Sequence, residues 1–544
     1  MVDPLTRLAV IHGTDKFGYH DYTPNYHTLF SHLRESPVKL MEIGVGGYQD
    51  ADRGGESLEM WRDYFEAGQI TGIDIQKKEM DLGDRVAILQ GSQIDAAFLA
   101  QLVKERGPFD IIIDDGSHRN EHVVMSFQLL FPTLAAGGIY VAEDVQTAFF
   151  PRFGGSLELS PPNSVGFFQA MLWQMPDDVV RISRFHNMIA LQKAGATPPP
   201  GLGKTTRSIN ASDLTDDPEG QLVAQMQALP DGALLEITFS DPQPGELSGL
   251  FARLFVEIDH REIAINFPDA ATGALARLTC GMHVERGCAV LVKGQNDYPS
   301  NFAFDFDHPH AKANFSAMEK LLLREGRERG LLLLADILTR AGDDERVDRL
   351  LARAEEIGAS SRSFFNALVR RRKITQDWAG AGQLLDRAVV LYPDDYRIRS
   401  QLGAIFMKDK DPQAAVEQFQ RAVEQAPRDV LVRIQLATAL ARIDRLDEAI
   451  EHARKGVEMA PSHAGHKVQL GRLLIAAGNL DEAIEILKAA LELDPKNANA
   501  LRQLSRAHDA RGDRTAALAA IKRALELRPD SHEYLRWQER LERS

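Results

Sequence analysis

Three observations predict the fold class: a parallel, doubly wound α/β domain, then a small α/β or mainly β region, then an all-α repeat array. Strand and helix signals alternate over residues 1–196. Two apolar runs there, Phe109-Asp-Ile-Ile-Ile-Asp114-Asp115 and Gly138-Ile-Tyr-Val-Ala-Glu143-Asp144, both end in paired acids. From Pro393 onward, prolines return at Pro427, Pro461, Pro495 and Pro529 with a fixed period.

Val38-Lys-Leu-Met-Glu-Ile-Gly44 reads as a strand entering a glycine-rich turn. Ser57–Phe65 has helical spacing, Gln69–Ile75 is a second strand ending in an acid, and Arg85–Gln90 is a third. Asp95–Glu105 and Asn120–Leu134 read as helices on either side of the strand before Asp114. Such alternation builds a parallel sheet with helices on both faces. Ligands of open parallel sheets bind beyond the carboxyl ends of the strands. Asp115, Glu143 and Asp144 therefore share one rim, and three carboxylates suit a hard cation such as magnesium. His118 follows Asp115 by three residues, on the turn leaving the same strand. An Asp-Asp pair also caps helices, and a lone histidine at a helix start is often merely solvated. The second acidic pair on a neighbouring strand tips the reading toward a site.

Glu42-x-Gly44-x-Gly46 follows the first strand and Asp74 ends the second. Glycines allow close backbone approach, and an acid there can hold both ribose hydroxyls. The dinucleotide fingerprint is incomplete, since Gln49 stands where its third glycine belongs. A nucleoside without a phosphate cradle is favoured, and S-adenosylmethionine fits. The chemistry is coherent. A bound divalent cation lowers the pKa of a coordinated oxygen acid. A histidine nearby can take the proton, and methyl transfer then needs mainly alignment.

Composition sets the outer limits. The chain has 544 residues, 44% hydrophobic and 26% charged, with a net charge of −15. That charge argues against a nucleic-acid binder relying on broad attraction. Cys280 and Cys288 are too few for a disulfide framework and read as reduced thiols. No signal peptide and no membrane-length apolar run is visible. A cytoplasmic protein is expected, and a homo-oligomer is compatible.

Several motifs occur together and in order. They are Gly13-Thr-Asp-Lys16 with Tyr22-Thr-Pro-x-Tyr26, Glu42-Ile-Gly-Val-Gly-Gly-Tyr48, Gly55-x-Ser57-Leu-x-Met-Trp61, Asp114-Asp-Gly-Ser-His118 and Glu143-Asp144-x-Gln146-Thr147. Over about residues 8–193 the chain resembles the metal-dependent sugar O-methyltransferases that tailor macrolide antibiotics. They are class I S-adenosylmethionine-dependent enzymes, with cephalosporin hydroxylase-type relatives. The resemblance implies magnesium on Asp115, Glu143 and Asp144, and His118 as general base. It implies a methyl-donor site at Glu42, Gly44, Ser57, Asp74 and Asp114, with Gly46 in the same turn. Two departures stand out. The extra N-terminal domain of some members is not expected here, and Gly91-Ser92-Gln93 replaces a segment where an acid is common. Trp61, with Leu58 and Phe65, reads as core, and His12, His20 and His27 as ordinary polar residues.

Residues 197–320 are expected to form a separate small domain. Thr197-Pro-Pro-Pro200-Gly-Leu-Gly reads as a linker. Gly203-Lys204-Thr205 is not a phosphate loop, because Pro198 occupies the position of its first glycine. Ala233–Phe239, Glu262–Phe267 and Cys288–Lys293 alternate like strands. Val180–Lys193 and Met282–Lys293 echo one another faintly. Asp305-Phe-Asp307-His308-Pro-His310 reads as a polar loop.

Residues 327–544 carry the tetratricopeptide pattern. Alanines (Ala381 to Ala517) and leucines (Leu368 to Leu504) share the prolines' period, with small residues at Gly403, Ala437, Gly471 and Ser505. Residues 327–360 look like a degenerate leading repeat. Such arrays bind protein or peptide partners on a concave face. The function expected is magnesium-dependent methyl transfer from S-adenosylmethionine to a sugar hydroxyl of a glycan or glycosylated metabolite. The main alternative is a non-catalytic scaffold that keeps a nucleoside-binding fold. An oxidative role is weaker, because no two-His-one-carboxylate triad is evident.

Overall fold

The computed structural model describes residues 2–196, 201–240, 247–300 and 303–543. The proline-rich part of the expected linker, Thr197–Pro200, lies outside them. The chain divides into two compact units, Met1–Ile357 and Gly358–Ser544.

Among the described residues, the first unit is built on one sheet of eleven strands. In chain order these are β1 (Lys39–Ile43), β2 (Gln69–Asp74), β3 (Val86–Gln90), β4 (Ile111–Asp114), β5 (Ile139–Ala142), β6 (Val179–Phe185), β7 (Met188–Lys193), β8 (Arg207–Asn210), β9 (Leu234–Thr238), β10 (Thr279–Glu285) and β11 (Cys288–Lys293). Across the sheet they run β3-β2-β1-β4-β5-β7-β6-β10-β11-β9-β8. The first five are parallel, and the β6–β7 hairpin adds antiparallel to β5 through β7. Central strands covered on both faces need continuous apolar runs. β4 supplies one: Ile111, Ile112 and Ile113 are wholly buried, each contributing about 1.5–3 kcal/mol. Helices α1 (Pro4–His12), α2 (Thr23–Phe30), α3 (Glu56–Tyr64), α4 (Ala96–Arg106) and α5 (Asn120–Leu130) belong to the same unit. Asp95 caps α4 by accepting from the amides of Ala97 and Phe98. Leu58, Trp61 and Phe65 are fully buried, as expected of core.

The middle region differs from expectation. It is not a separate domain, because β10 pairs with β6 and prolongs the N-terminal sheet. Its hairpin is the faint echo made concrete. β6–β7 and β10–β11 are the same length and lie one hundred residues apart. The correspondence goes further. β8 pairs parallel with β9, β9 antiparallel with β11, and β11 antiparallel with β10. This is the arrangement of β4, β5, β7 and β6 over again. Ser183 faces His283 across the junction, and a hydrogen bond of 2.8 Å joins their side chains.

Glu262–Phe267 is also not a strand: His260–Asn266 is a short helix. Alternating Ile263 and Ile265 suggest a strand, yet only Ile263 is buried, while Ile265 is exposed. Seven residues are too few for periodicity to decide, and tertiary packing does. His308 caps the helix Pro309–Glu325, so the expected polar loop ends in a helix start.

Helices Glu328–Ala341 and Asp344–Glu356 form the expected leading helix pair, but they fall in the first unit rather than with the repeats. Gly13 ends α1 in the left-handed conformation, and a Cβ there would meet the Arg329 backbone at 2.8 Å. That close approach seats α1, and the loop after it, against the helix pair.

The second unit is all helix, from Arg362–Ile374 to His532–Arg543. Each periodic proline lies two residues past the end of a helix: Pro393 after Leu391, Pro427 after Gln425, Pro461 after Met459. Small residues are required where helices cross. A Cβ on Gly403 would meet the Phe419 ring at 2.8 Å, and one on Gly471 the Leu487 side chain at 2.6 Å.

Candidate active site

The rim is assembled where β1, β4 and β5 end. The Asp115 amide donates to Ile43 (3.0 Å) and the Glu143 amide to Asp114 (3.0 Å). Gly44 has φ +93°, and a Cβ there would lie 2.1 Å from the Asp115 carbonyl. Only glycine lets the first turn pass the β4 end so closely. Four non-glycine residues around this rim take positive φ: Tyr48 (49°), His118 (54°), Asp144 (52°) and Asn187 (56°). Asn187 belongs here because its carbonyl accepts from the Val145 amide at 3.2 Å. Backbone strain of this kind, about 1–3 kcal/mol per residue, clusters at functional sites.

Successive side chains on β4 face opposite ways. Asp114 points inward, is 1% exposed, and accepts from the Tyr140 hydroxyl (2.9 Å) and the Gln93 amide (3.0 Å). Burial pushes its carboxyl up to about 6. Gln93 also accepts from the Ser117 amide at 2.8 Å, so the Gly91-Ser92-Gln93 segment braces this turn from behind. Asp115 points outward. It forms one group with His118 and Asp144, all half-buried, with ligand atoms within 4.8 Å of one another. His118 Nε2 is 3.7 Å from Asp144 Oδ2. Asp115 also belongs to a second, deeper group with Glu42 and Glu143. The three expected metal ligands thus meet through Asp115 but do not form a single cluster.

Lys16 explains the division. Its side chain is buried, and its ammonium donates to Asp115 Oδ2 (2.8 Å) and to both Glu143 oxygens (2.7 and 2.8 Å). Glu42 Oε1 is 3.2 Å away. Burial opposes the charge on Lys16, but Asp115, Glu143 and Glu42 outweigh it and hold the ammonium well above its ordinary pKa. Glu143 is buried beside Asp115 and shifted upward, and the Tyr26 hydroxyl also donates to it. Tyr22 donates to Asp144, and His20 Nδ1 lies 3.7 Å from it. Burial resists ionisation of Asp144, yet His20 and His118 bring it down to about 2. The segment from Gly13 to Tyr26 is therefore a strap across the rim acids. His12 and His27 are ordinary polar residues, bonded to Asp63 and Tyr64 at 2.8 Å, whereas His20 stands at the site.

The donor-side residues gather around the glycine turn. Ser57 donates to Glu42 Oε2 at 2.9 Å, and burial pushes the Glu42 carboxyl up to about 7. Its other oxygen is buried and faces the Lys16 ammonium. Asp74 accepts from the amides of Val45 (3.0 Å) and Gln76 (2.8 Å), which fixes it at the mouth of the turn. Ile75 beside it is 62% exposed, an apolar surface at the same mouth. Gly46 has φ +79°. The functional groups missed in the sequence are the Lys16 ammonium and the Tyr22 and Tyr26 hydroxyls. Their motifs are visible, but their partners lie 99 to 127 residues away.

Comparison with known proteins separates the two units. Residues 474–541 match one tetratricopeptide repeat family, and 375–430, 400–464 and 434–498 match another of the same description. The C-terminal helices are tetratricopeptide repeats. The N-terminal stretch is homologous to sugar O-methyltransferases. It is 41% identical over 208 residues to the 8-demethyl-8-(2-methoxy-alpha-L-rhamnosyl)-tetracenomycin-C 3'-O-methyltransferase of Streptomyces olivaceus, covering 35% of this chain and 53% of that one. It is 45% identical over 171 residues to the 8-demethyl-8-alpha-L-rhamnosyl tetracenomycin-C 2'-O-methyltransferase of the same organism, covering 31% and 45%. A mycinamycin-pathway methyltransferase solved with Mg, SAH and mycinamycin VI is 38% identical over 37% of this chain and 57% of that chain, with a TM-score of 0.33. The chain spans about half the length of the curated relatives it matches. Among the described residues, no helix is long and apolar enough to cross a membrane.

Proposed function

We propose that the first unit transfers a methyl group from S-adenosylmethionine to a sugar hydroxyl of a glycosylated acceptor, with a divalent cation at the rim. The observation that carries this is the Asp115–His118–Asp144 group at the carboxyl ends of β4 and β5, beside the glycine turn and Asp74. Its donor set suits a hard ion: carboxylate oxygens predominate, and Asp144 stays ionised far below neutrality. Asp115 and Asp144 would hold the ion from the open side. Glu143 stands behind Asp115 and shares the Lys16 ammonium with it. When bound, the cation lowers the pKa of a coordinated hydroxyl and orients the acceptor. His118 Nε2 accepts the acceptor's proton. Its imidazole faces Asp144, which stabilises the charge it gains. Asp74 and the Gly44–Gly46 turn hold the donor's ribose and backbone side, and Ile75 covers the adenine. The names of the relatives, O-methyltransferases of rhamnosyl compounds, support a sugar acceptor. The repeats are read as a docking surface for a protein or peptide partner, and the two free cysteines favour a cytoplasmic setting.

Calorimetry with S-adenosylmethionine, with and without magnesium, tests this reading, followed by mass spectrometry of rhamnosyl and macrolide glycosides. Donor binding without methyl transfer to any glycoside would instead favour the scaffold.

A further inference from the structure

In the second unit, the first helices of successive repeats stand side by side and are joined by a row of polar side chains. Gln401 donates to Asn366 at 3.1 Å, Ser400 to Gln435 at 2.8 Å and Gln469 to Thr438 at 2.8 Å. One turn further along, the row becomes cationic. Arg472 is three residues past Gln469 and donates to it at 3.2 Å. Arg506 stands in the same relation to Gln503, at 3.4 Å. Arg442 lies four residues past Thr438, and Arg502 four before Arg506. Residues three and four apart share a helix face, so Val430–Arg442, Ala464–Ala476 and Ala498–Ala510 present these arginines together.

Arg502 pairs with Glu533. Among the described residues, Arg442, Arg472 and Arg506 have no carboxylate at ion-pair distance. The unit does not lack acids. On other surfaces Arg454 meets Glu482 at 2.7 Å and Arg511 meets Asp481 at 3.0 Å. In a chain of net charge −15, this face gathers four arginines and leaves three without a carboxylate partner. Burial and the other three guanidiniums together push the Arg472 pKa down, so the grouping opposes itself until an anion arrives.

We propose, on the reading of the repeats as a docking surface, that this face takes an acidic, extended segment of a partner protein. Arginine forks bind carboxylates in pairs of parallel hydrogen bonds. The neighbouring half-buried amides of Gln435 and Gln469 suit a peptide backbone. Helices pack about 8–10 Å apart, and an extended chain advances about 3.3 Å per residue. Acids at every third position therefore match arginines on successive helices. A nucleic acid is the poorer fit, because the chain as a whole would repel it.

The test is fluorescence anisotropy on the full chain with four labelled probes. They are a ten-residue Gly/Ser peptide with Glu at every third position, the same peptide with Lys, the same with Ser, and single-stranded RNA of ten nucleotides. The Glu peptide should bind in a salt-sensitive way. Arg472→Gln with Arg506→Gln should weaken it at least tenfold, and the exposed Arg506→Gln alone should do so measurably, with an unchanged circular dichroism spectrum. Equal affinity for Glu and Ser peptides, or tighter binding of the RNA, overturns the proposal. Preference for the Lys peptide also overturns it while leaving the docking reading intact, and binding of no peptide at all removes both.

Discussion

Lys16→Met keeps an apolar stem of similar length and deletes the charge at the centre of the rim. Three carboxylates then lose their shared cation: Glu42 and Glu143, both buried, and Asp115, whose side chain is 27% exposed. Removing one partner from a buried pair costs about 3–5 kcal/mol, because the other charge is left uncompensated. Protonation offers partial relief, and it sets the pH dependence. Glu42 already titrates at about 7, above its unfolded value, because burial disfavours its charge. A carboxyl raised in the fold favours folding at low pH, and its cost accumulates as pH rises through the unfolded and then the folded value. The deficit of the variant should therefore be largest at pH 8 and shrink toward pH 6. Urea unfolding of a chain ending at Ile357 gives the readout, since the Trp61 ring lies 5.2 Å from that of Tyr26, which holds Glu143. The vacated acids then form an all-oxygen ligand set. Magnesium at about a hundredfold above its dissociation constant would return about 2.7 kcal/mol to the variant. Equal stability of variant and parent at pH 8 would refute the neutralising role, and indifference of the variant to magnesium would refute the ligand set.

Four further outcomes are expected. His118→Ala should cut single-turnover methyl transfer by about 10²–10⁴ while donor binding persists; a parallel loss of magnesium affinity by calorimetry would make His118 a ligand rather than the base. Asp74→Ala should weaken S-adenosylmethionine binding at least about tenfold, the scale of a lost charged hydrogen bond, and unchanged affinity would displace the donor site. Asp114→Asn should flatten the pH dependence of stability between about 4 and 6, because the carboxyl raised to about 6 makes the parent less stable as pH rises through that window; melting curves of both proteins at pH 4, 5 and 7 decide it. A chain ending at Ile357 should bind the donor, whereas one ending near Asn314 cuts the helix Pro309–Glu325 that packs beside α1 and should lose solubility or cooperative unfolding.

The parallel half of the sheet was legible because each strand there carries its own evidence. The isoleucines of β4, the glycines after β1 and the acids after β5 are local signals, and their order alone dictates the topology. The repeats were legible for the same reason, since a period needs no third dimension. The strap was not. Lys16 reads as one more lysine until the fold places its ammonium between Asp115 and Glu143. Asp114 and Asp115 look equivalent in sequence, but the alternation of a strand sends one to Tyr140 and the other to the rim. The boundaries after residues 196 and 326 were misplaced because linker composition and helical spacing report chain-local flexibility and periodicity, not which surface a segment packs on.

The repeated half-sheet shows what such signals can and cannot carry. β8, β9, β11 and β10 reproduce the frame of β4, β5, β7 and β6 with little sequence in common, because a frame asks only for alternating apolar residues and turns at the right places. The chemistry is not reproduced. β8 ends in Asn210 and is followed by Ala211, where β4 ends in Asp114 and is followed by Asp115. β9 leads into Phe239 and Ser240, where β5 leads into Glu143 and Asp144. Nor, among the described residues, does the second frame have counterparts of β1, β2 and β3 beyond it, since β8 is the edge. Among the described residues, the positions that answer to Asp115, Glu143 and Asp144 hold Ala211, Phe239 and Ser240, which supply no carboxylate. The second half therefore serves the first mechanically: it covers the open edge of β6, which would otherwise offer unpaired backbone groups to another chain, and it steadies the β6–β7 turn whose Asn187 carbonyl holds the amide of Val145, next to Asp144.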